Sequence, residues 1–152
     1  WPKRKVTKGT FEHPISTLDL LPTFYAAAGG SESNLDAIDG LNLLPFINKK
    51  KSGQVHSNLY WKKESRAAIR QGQWKLLRFP DRPAQLYDLN NDISETNNVA
   101  ARHPELVRRL YKQLFNWELS LERPLWQLKR EYEGAAMRRM DNYHQVRNKE
   151  NN

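Results

Sequence analysis

The chain has 152 residues and carries 25 Lys or Arg against 17 Asp or Glu, a formal net charge of +8. That length suits one modest domain or the tail of a larger one, and the absence of cysteine excludes disulfides, thiolate metal sites and a cysteine nucleophile within it. No apolar run approaches the roughly 20 residues that span a bilayer. An opening Trp1-Pro2-Lys3 without an initiator methionine reads as the interior of a longer polypeptide. The basic excess favours anionic company in general, from nucleic acid to sulfated or phosphorylated substrates, and equally describes a soluble basic surface.

In chain order, Trp1 to Lys8 reads as exposed cationic chain. Ser16-Thr17-Leu18-Asp19 follows, with Ser16 as a cap and Asp19 reaching back to its amide. Pro22 suits a first helical position, Thr23 to Ala28 continue the helix, and Gly29-Gly30 ends it. So short a helix is not stable alone and must dock on something. Ser31 to Asn34 is a polar loop, and Leu35 to Ile47 gathers Leu41, Leu43, Leu44, Phe46 and Ile47 around an Asp39-Gly40 turn. Residues 48–53, polar and cationic, mark the expected boundary between a first unit (1–50) and a second (51–122).

Beyond the boundary the periodicity shortens. Ser57 to Lys62, Arg66 to Gln71, Trp74 to Phe79 and Gln85 to Leu89 are aromatic or branched runs between turn residues, which predicts four antiparallel strands. Gly72 suits a tight hairpin, Asp81-Arg82-Pro83 a connection, and Asn90-Asn91-Asp92 a closing turn. Pro104-Glu105 starts a helix whose Leu106, Leu110, Leu114, Trp117 and Leu121 form one apolar stripe. Arg108, Arg109, Lys112 and Glu118 are assigned to its outer face. Pro124 breaks the helix, and residues 123–152 are expected to be a charged, partly helical extension. Leu125, Trp126, Leu128, Tyr132, Met137 and Met140 offer it a docking face, and Val146 to Asn152 should fray. The fold class is therefore α+β, an antiparallel sheet with one long helix laid on it.

A self-contained catalytic centre does not emerge. His13, His56, His103 and His144 are scattered, with no second histidine at metal-ligand spacing. His103, before a helix start, reads as a capping or surface residue. Asp36, Asp39 and Asp92 lack the regular loop spacing of a calcium site, and Asp39 and Asp92 read as turn formers. No phosphate loop or nucleophile elbow is present. Basic residues interleave with aromatics at Tyr60-Trp61-Lys62-Lys63 and Trp74-Lys75, a pattern that can stack bases. Their order does not match an RNA-recognition signature, so no specific nucleic-acid partner is expected.

An ordered set of motifs resembles the C-terminal region of type I sulfatases, arylsulfatase-like members of the alkaline-phosphatase superfamily. It comprises Trp1-Pro2, Pro14 to Thr23, Ala27-Ala28-Gly29, Leu35 to Pro45, Leu59-Tyr60-Trp61, Ala68 to Leu76, Leu86 to Asp92, Glu95 to Ala100 and His103 to Leu106. Together these cover residues 1 to about 121. The resemblance implies that residues 1–50 are the tail of an α/β catalytic domain and 51–122 its C-terminal subdomain, a four-stranded antiparallel sheet packed on a long C-terminal helix. It implies a parent enzyme that hydrolyses sulfate esters with a formylglycine, made from a Cys/Ser-x-Pro-x-Arg motif, and a calcium ion. None of that machinery can be placed here, so no catalytic or metal residue and no cofactor is assigned to this chain.

The partners so implied are the rest of the sulfatase polypeptide and a sulfated small molecule or polysaccharide, and the compartment implied is periplasmic, secreted or lysosomal. By the same analogy Trp61, Arg78 and Arg82 are the side chains expected to reach substrate, the indole stacking on a ring and the guanidinium groups pairing with anions. As core tryptophan and solvated arginines they have an ordinary structural account too. Two departures from the family pattern are Lys62-Lys63, where an acidic residue is usual, and Ile93 in place of proline after Asp92. Two alternatives remain at this point. One is a phosphate- or phosphonate-ester hydrolase of the same superfamily; the other is a stand-alone polyanion-binding module.

Overall fold

The computed structural model describes residues 9–126 apart from 32, 34, 36 and 37, and beyond them residues 129, 132, 134, 135 and 137–142. The expectations for Trp1 to Lys8, Asp36, Leu128, His144 and Val146 to Asn152 lie outside the described residues. The architecture is α+β, as the periodicity predicts.

Ser16 accepts from the Leu18 amide while the Asp19 carboxylate accepts from the Ser16 amide, a reciprocal cap over a 3-10 turn, Thr17–Asp19. The turn runs straight into α1, Leu20–Ala27. Pro22 is thus the third residue of α1 rather than its first, tolerated because the first-turn amides have no intrahelical acceptor in any case. A one-turn helix that the sequence pattern did not predict, α2, spans Leu44–Ile47 with Pro45 in its first turn.

The sheet is a meander of neighbours in chain order: β1 Leu59–Lys63, β2 Arg66–Gln71, β3 Trp74–Arg78 and β4 Gln85–Asp88. Every pairing is antiparallel, and Tyr60, Ile69, Leu76 and Leu86 stand opposite one another across it. Two-residue turns join the first three strands, Glu64-Ser65 and Gly72-Gln73. Each opens with a positive φ, 58° at Glu64 and 57° at Gly72, the backbone twist that suits a tight hairpin. Only the second carries the glycine that announces it.

Helix α3, Pro104–Leu119, lies on one face of this sheet. Leu110 and Leu114 are fully buried against Ile69, Leu76 and Leu86, with Ala67 completing the core. Tyr60 stacks on Trp117 at 4.9 Å between ring centres, so the stripe read from sequence does face the sheet. Its last member departs: Leu121 lies beyond the helix and is exposed, because α3 ends at Leu119. His103 is at the N-cap without a capping bond and rests its ring near Trp74 instead. Of the extension, residues 137–142 are helical and Met137 is buried, whereas Leu125 and Trp126 are exposed.

Candidate functional site

Two polar clusters and one mixed groove stand out in the described chain. The first is centred on Asp19, which is fully buried. One carboxylate oxygen accepts from the Ser16 amide at 2.7 Å, the other from the Leu41 amide at 2.9 Å, and His56 Nε2 lies 2.9 Å from both. Thr23 extends the cluster, its hydroxyl donating to the Asp19 carbonyl and accepting from the Leu43 amide. Gly40 makes the approach possible, since a β-carbon there would meet the Leu18 carbonyl oxygen at 2.0 Å. Burial pushes the Asp19 carboxyl upward, but the Leu41 and Ser16 amides and His56 outweigh it and hold the pKa below its usual value. The cluster joins the start of α1 to the Gly40 loop and to the segment leading into β1, a contact that crosses residues 48–53.

The second cluster is on the helix-covered face. Glu118 receives both Nη groups of Arg78 and the ammonium of Lys62. Burial raises the Glu118 pKa, the two cations lower it, and the cations win. Glu118 therefore faces the sheet, not water as its charge suggested. It lies one helical repeat past Leu114, on the same stripe, and the cations of β1 and β3 come to meet it.

The third feature is the face of the sheet turned away from α3, on which Tyr87 and Ala68 are buried. Residues alternate sides along a strand, so Trp61, Ala68, Arg70, Lys75 and Leu77 share this face. With Leu89, Ile93 and Glu95 they line a groove of about 410 Å³. Lys75 pairs with Glu95. Arg70 donates from Nε to the Gly72 carbonyl at 3.1 Å, and among the described residues its Nη groups have no acceptor.

The three residues singled out from sequence do not converge. Trp61 is 47% exposed on the face turned away from α3. Arg78 is on the opposite face, engaged with Glu118 and the Ser65 carbonyl. Arg82 sits in the β3–β4 connection, bidentate to both Asp81 and Asp141, so it pins the extension to the sheet. Asp141 first and Asp81 second raise its pKa further above the ordinary arginine value. Sequence reasoning missed His56 and Arg70. His56 is 37 positions from Asp19, and no local pattern links them. Arg70 is made unusual only by its neighbours across the sheet.

Among the described residues no three His, Cys, Asp or Glu side chains converge to hold a metal ion. Asp92 accepts from Thr96 and Asn97 and shapes a turn, as its spacing predicts. Among the described residues, no helix is long and apolar enough to cross a membrane.

Comparison with known proteins agrees with this architecture. A family model described as N-sulphoglucosamine sulphohydrolase, C-terminal, matches residues 1–120. The N-acetylgalactosamine-6-O-sulfatase of Bacteroides thetaiotaomicron is 45% identical over an alignment of 62 positions that covers 31% of this chain and 12% of that protein. The choline-sulfatase of Rhizobium meliloti is 34% identical over 99 residues, 62% of this chain and 19% of that protein. The crystal structure of Ps i-CgsB superposes with a TM-score of 0.67 and 31% identity, over 88% of this chain and 32% of that one. This chain thus spans well under a third of the length of the curated relatives it matches. With a four-stranded meander backed by one helix, and a family match over its first 120 residues, the chain belongs to the sulfatase C-terminal family described for N-sulphoglucosamine sulphohydrolase.

Proposed function

We propose that this chain is the C-terminal part of a sulfate-ester hydrolase and that its work is to complete the fold of that enzyme and wall its substrate cleft. Residues 1–50 would close the α/β catalytic domain, 51–122 form the C-terminal subdomain, and 123–152 a docked extension. The observation that carries the reading is the family match over residues 1–120, in a chain that spans 12% and 19% of two sulfatase relatives. Leu18, Leu21 and Phe24, exposed on and before α1, support it further: this short helix lacks the cover that its apolar surface calls for.

The parent's calcium and formylglycine would belong to residues outside this chain. Among the described residues no three Asp or Glu side chains come together as ligands for such an ion. Within this chain, substrate contact falls first to Trp61, whose half-exposed indole can stack on a ring. Arg78 and Arg82 reach an anion only by sharing the carboxylates they already hold.

The test is sulfate release by the full-length polypeptide, followed by ion chromatography on aryl and sugar sulfate esters, with matched phosphonate esters beside them. Sulfate release, with Trp61→Ala raising KM more than it lowers kcat, is the expected result. Phosphonate hydrolysis without sulfate release would move the parent to a phosphate-handling relative. An unchanged KM for Trp61→Ala would remove Trp61 from the cleft.

A further inference from the structure

We infer that the groove between residues 9–13 and 46–53, with Lys49, Lys50 and Lys51 beside it, holds a stretch of sulfated polysaccharide. The inference deepens the reading of this chain as part of a sulfate-ester hydrolase and rests on it for the choice of a sulfated sugar among polyanions.

The three lysines follow α2 directly, and the backbone fixes where they stand. Their amides donate to the Phe46 and Pro45 carbonyls at 2.8–3.0 Å. Lys49 has a φ of 58°, in the left-handed region that glycine enters most easily, yet a long cation occupies the position. All three side chains are exposed. None of the ion pairs among the described residues engages them, whereas Lys62, Lys75, Arg78 and Arg82 each hold a carboxylate. Lys51 lies 5.9 Å from the centre of the Phe46 ring, a contact that places its ammonium without neutralising it.

The groove itself has a volume of about 570 Å³, within the size range of ligand clefts. Phe11, His13 and Phe46, all half-buried, line it, and the first two meet edge to face at 5.3 Å. Such rings offer flat apolar surface to the face of a sugar. Thr10 and Ser52 add hydroxyls that can exchange hydrogen bonds with sugar hydroxyls. Glu12 is the one carboxylate among the lining residues, against Lys49 and Lys51, so the groove is positive on balance.

An exposed ion pair is worth little singly. Adjacent exposed lysines therefore favour a ligand that carries several anions on one chain, since its contacts act together. Sulfate esters spaced along a polysaccharide meet that need. Nucleic acid carries the charge too, but Arg, Asn and Gln, the side chains that most often read base edges, are not among the lining residues.

The test is binding of labelled dextran sulfate to the full-length polypeptide, followed by fluorescence anisotropy, with unsulfated dextran and a single-stranded DNA of similar length beside it. Two triple variants with the same change in charge are compared. One carries Lys49→Gln, Lys50→Gln and Lys51→Gln; the other, on the outer face of α3, carries Arg108→Gln, Arg109→Gln and Lys112→Gln. Every substituted side chain is exposed, so both variants should keep the unfolding midpoint of the unsubstituted protein. The loop variant should bind dextran sulfate about tenfold more weakly, and the α3 variant within about twofold of the unsubstituted protein. Unsulfated dextran should not bind, and the DNA should bind at least about tenfold more weakly than dextran sulfate.

Equal losses in the two variants would overturn the inference, because attraction would then follow net charge alone. DNA binding as tight as that of dextran sulfate would overturn it too and assign the groove to nucleic acid. Sulfate release by a polypeptide whose loop variant binds dextran sulfate unchanged would sink the site and leave the sulfatase reading. Loop-dependent binding without release of sulfate from any ester would do the reverse.

Discussion

At the scale of single residues, two carboxylates, the buried Asp19 and the half-buried Glu118, each gather several donors. Glu118 is 10% exposed and neutralises Arg78 and Lys62 together. Removing its charge leaves Arg78 without its carboxylate beside the core, while the exposed Lys62 is screened by solvent, so Glu118→Gln should cost about 1–3 kcal/mol in urea unfolding. A loss below about 0.5 kcal/mol would mean that the cluster is solvated. Asp19 and Glu118 both have folded-state pKa values below their ordinary ones. The unfolded chain therefore takes up protons first as pH falls. Their contribution is complete above the ordinary carboxylate range, near pH 4–5, and is lost as pH drops through the lower folded values. A pH series of unfolding midpoints should be flat with respect to these two groups near pH 6 and decline below about pH 4. A Glu118→Gln, Asp19→Asn double variant should flatten that decline. Asp19 was legible only in part: its cap over Ser16 is a local spacing, whereas Leu41 and His56 reach it through the fold.

At the scale of elements, period and turn chemistry located all four strands and α3, because each buries one side against a neighbour and so repeats every 2 or every 3.6 residues. The ends moved by one or two residues where pairing stopped, as at Ser57, Phe79 and Leu89. Glu118 was assigned to the wrong side of α3 because charge was taken to mean solvent. Its position on the Leu110–Leu114 stripe was the better guide. The Glu64-Ser65 turn had no glycine to announce it, and α2 was too short to show a period. Burial predicts which positions matter on α3. Leu114→Ala, at a fully buried site, should cost about 2–5 kcal/mol. Leu119→Ala, one turn away and exposed, should change stability within about 0.5 kcal/mol.

At the scale of the whole molecule, the apolar surfaces left open are more informative than those closed. The sheet and α3 close a core of their own, while α1 and the far side of the sheet expose Leu21, Phe24, Trp61 and Ile93. The Asp19–His56 contact joins the turn before α1 to the segment before β1, across the loop at 48–53. Sequence could not show that contact, which depends on residues 37 positions apart. It did show the family, because turns, caps and packing residues recur in a fixed order that belongs to a fold rather than to a substrate. For that reason Trp61, Arg78 and Arg82 could be named from sequence but not sorted by face until the strand register was known.

The measurement that tests the central claim most directly is the intact mass and tandem sequencing of the natural polypeptide that contains these residues. The expected result is one chain several times the 17.9 kDa of this segment, carrying a formylglycine within a Cys/Ser-x-Pro-x-Arg motif upstream of Trp1. A mature polypeptide of about this segment's own mass, with no such motif, would contradict the claim and leave a stand-alone binding module in its place.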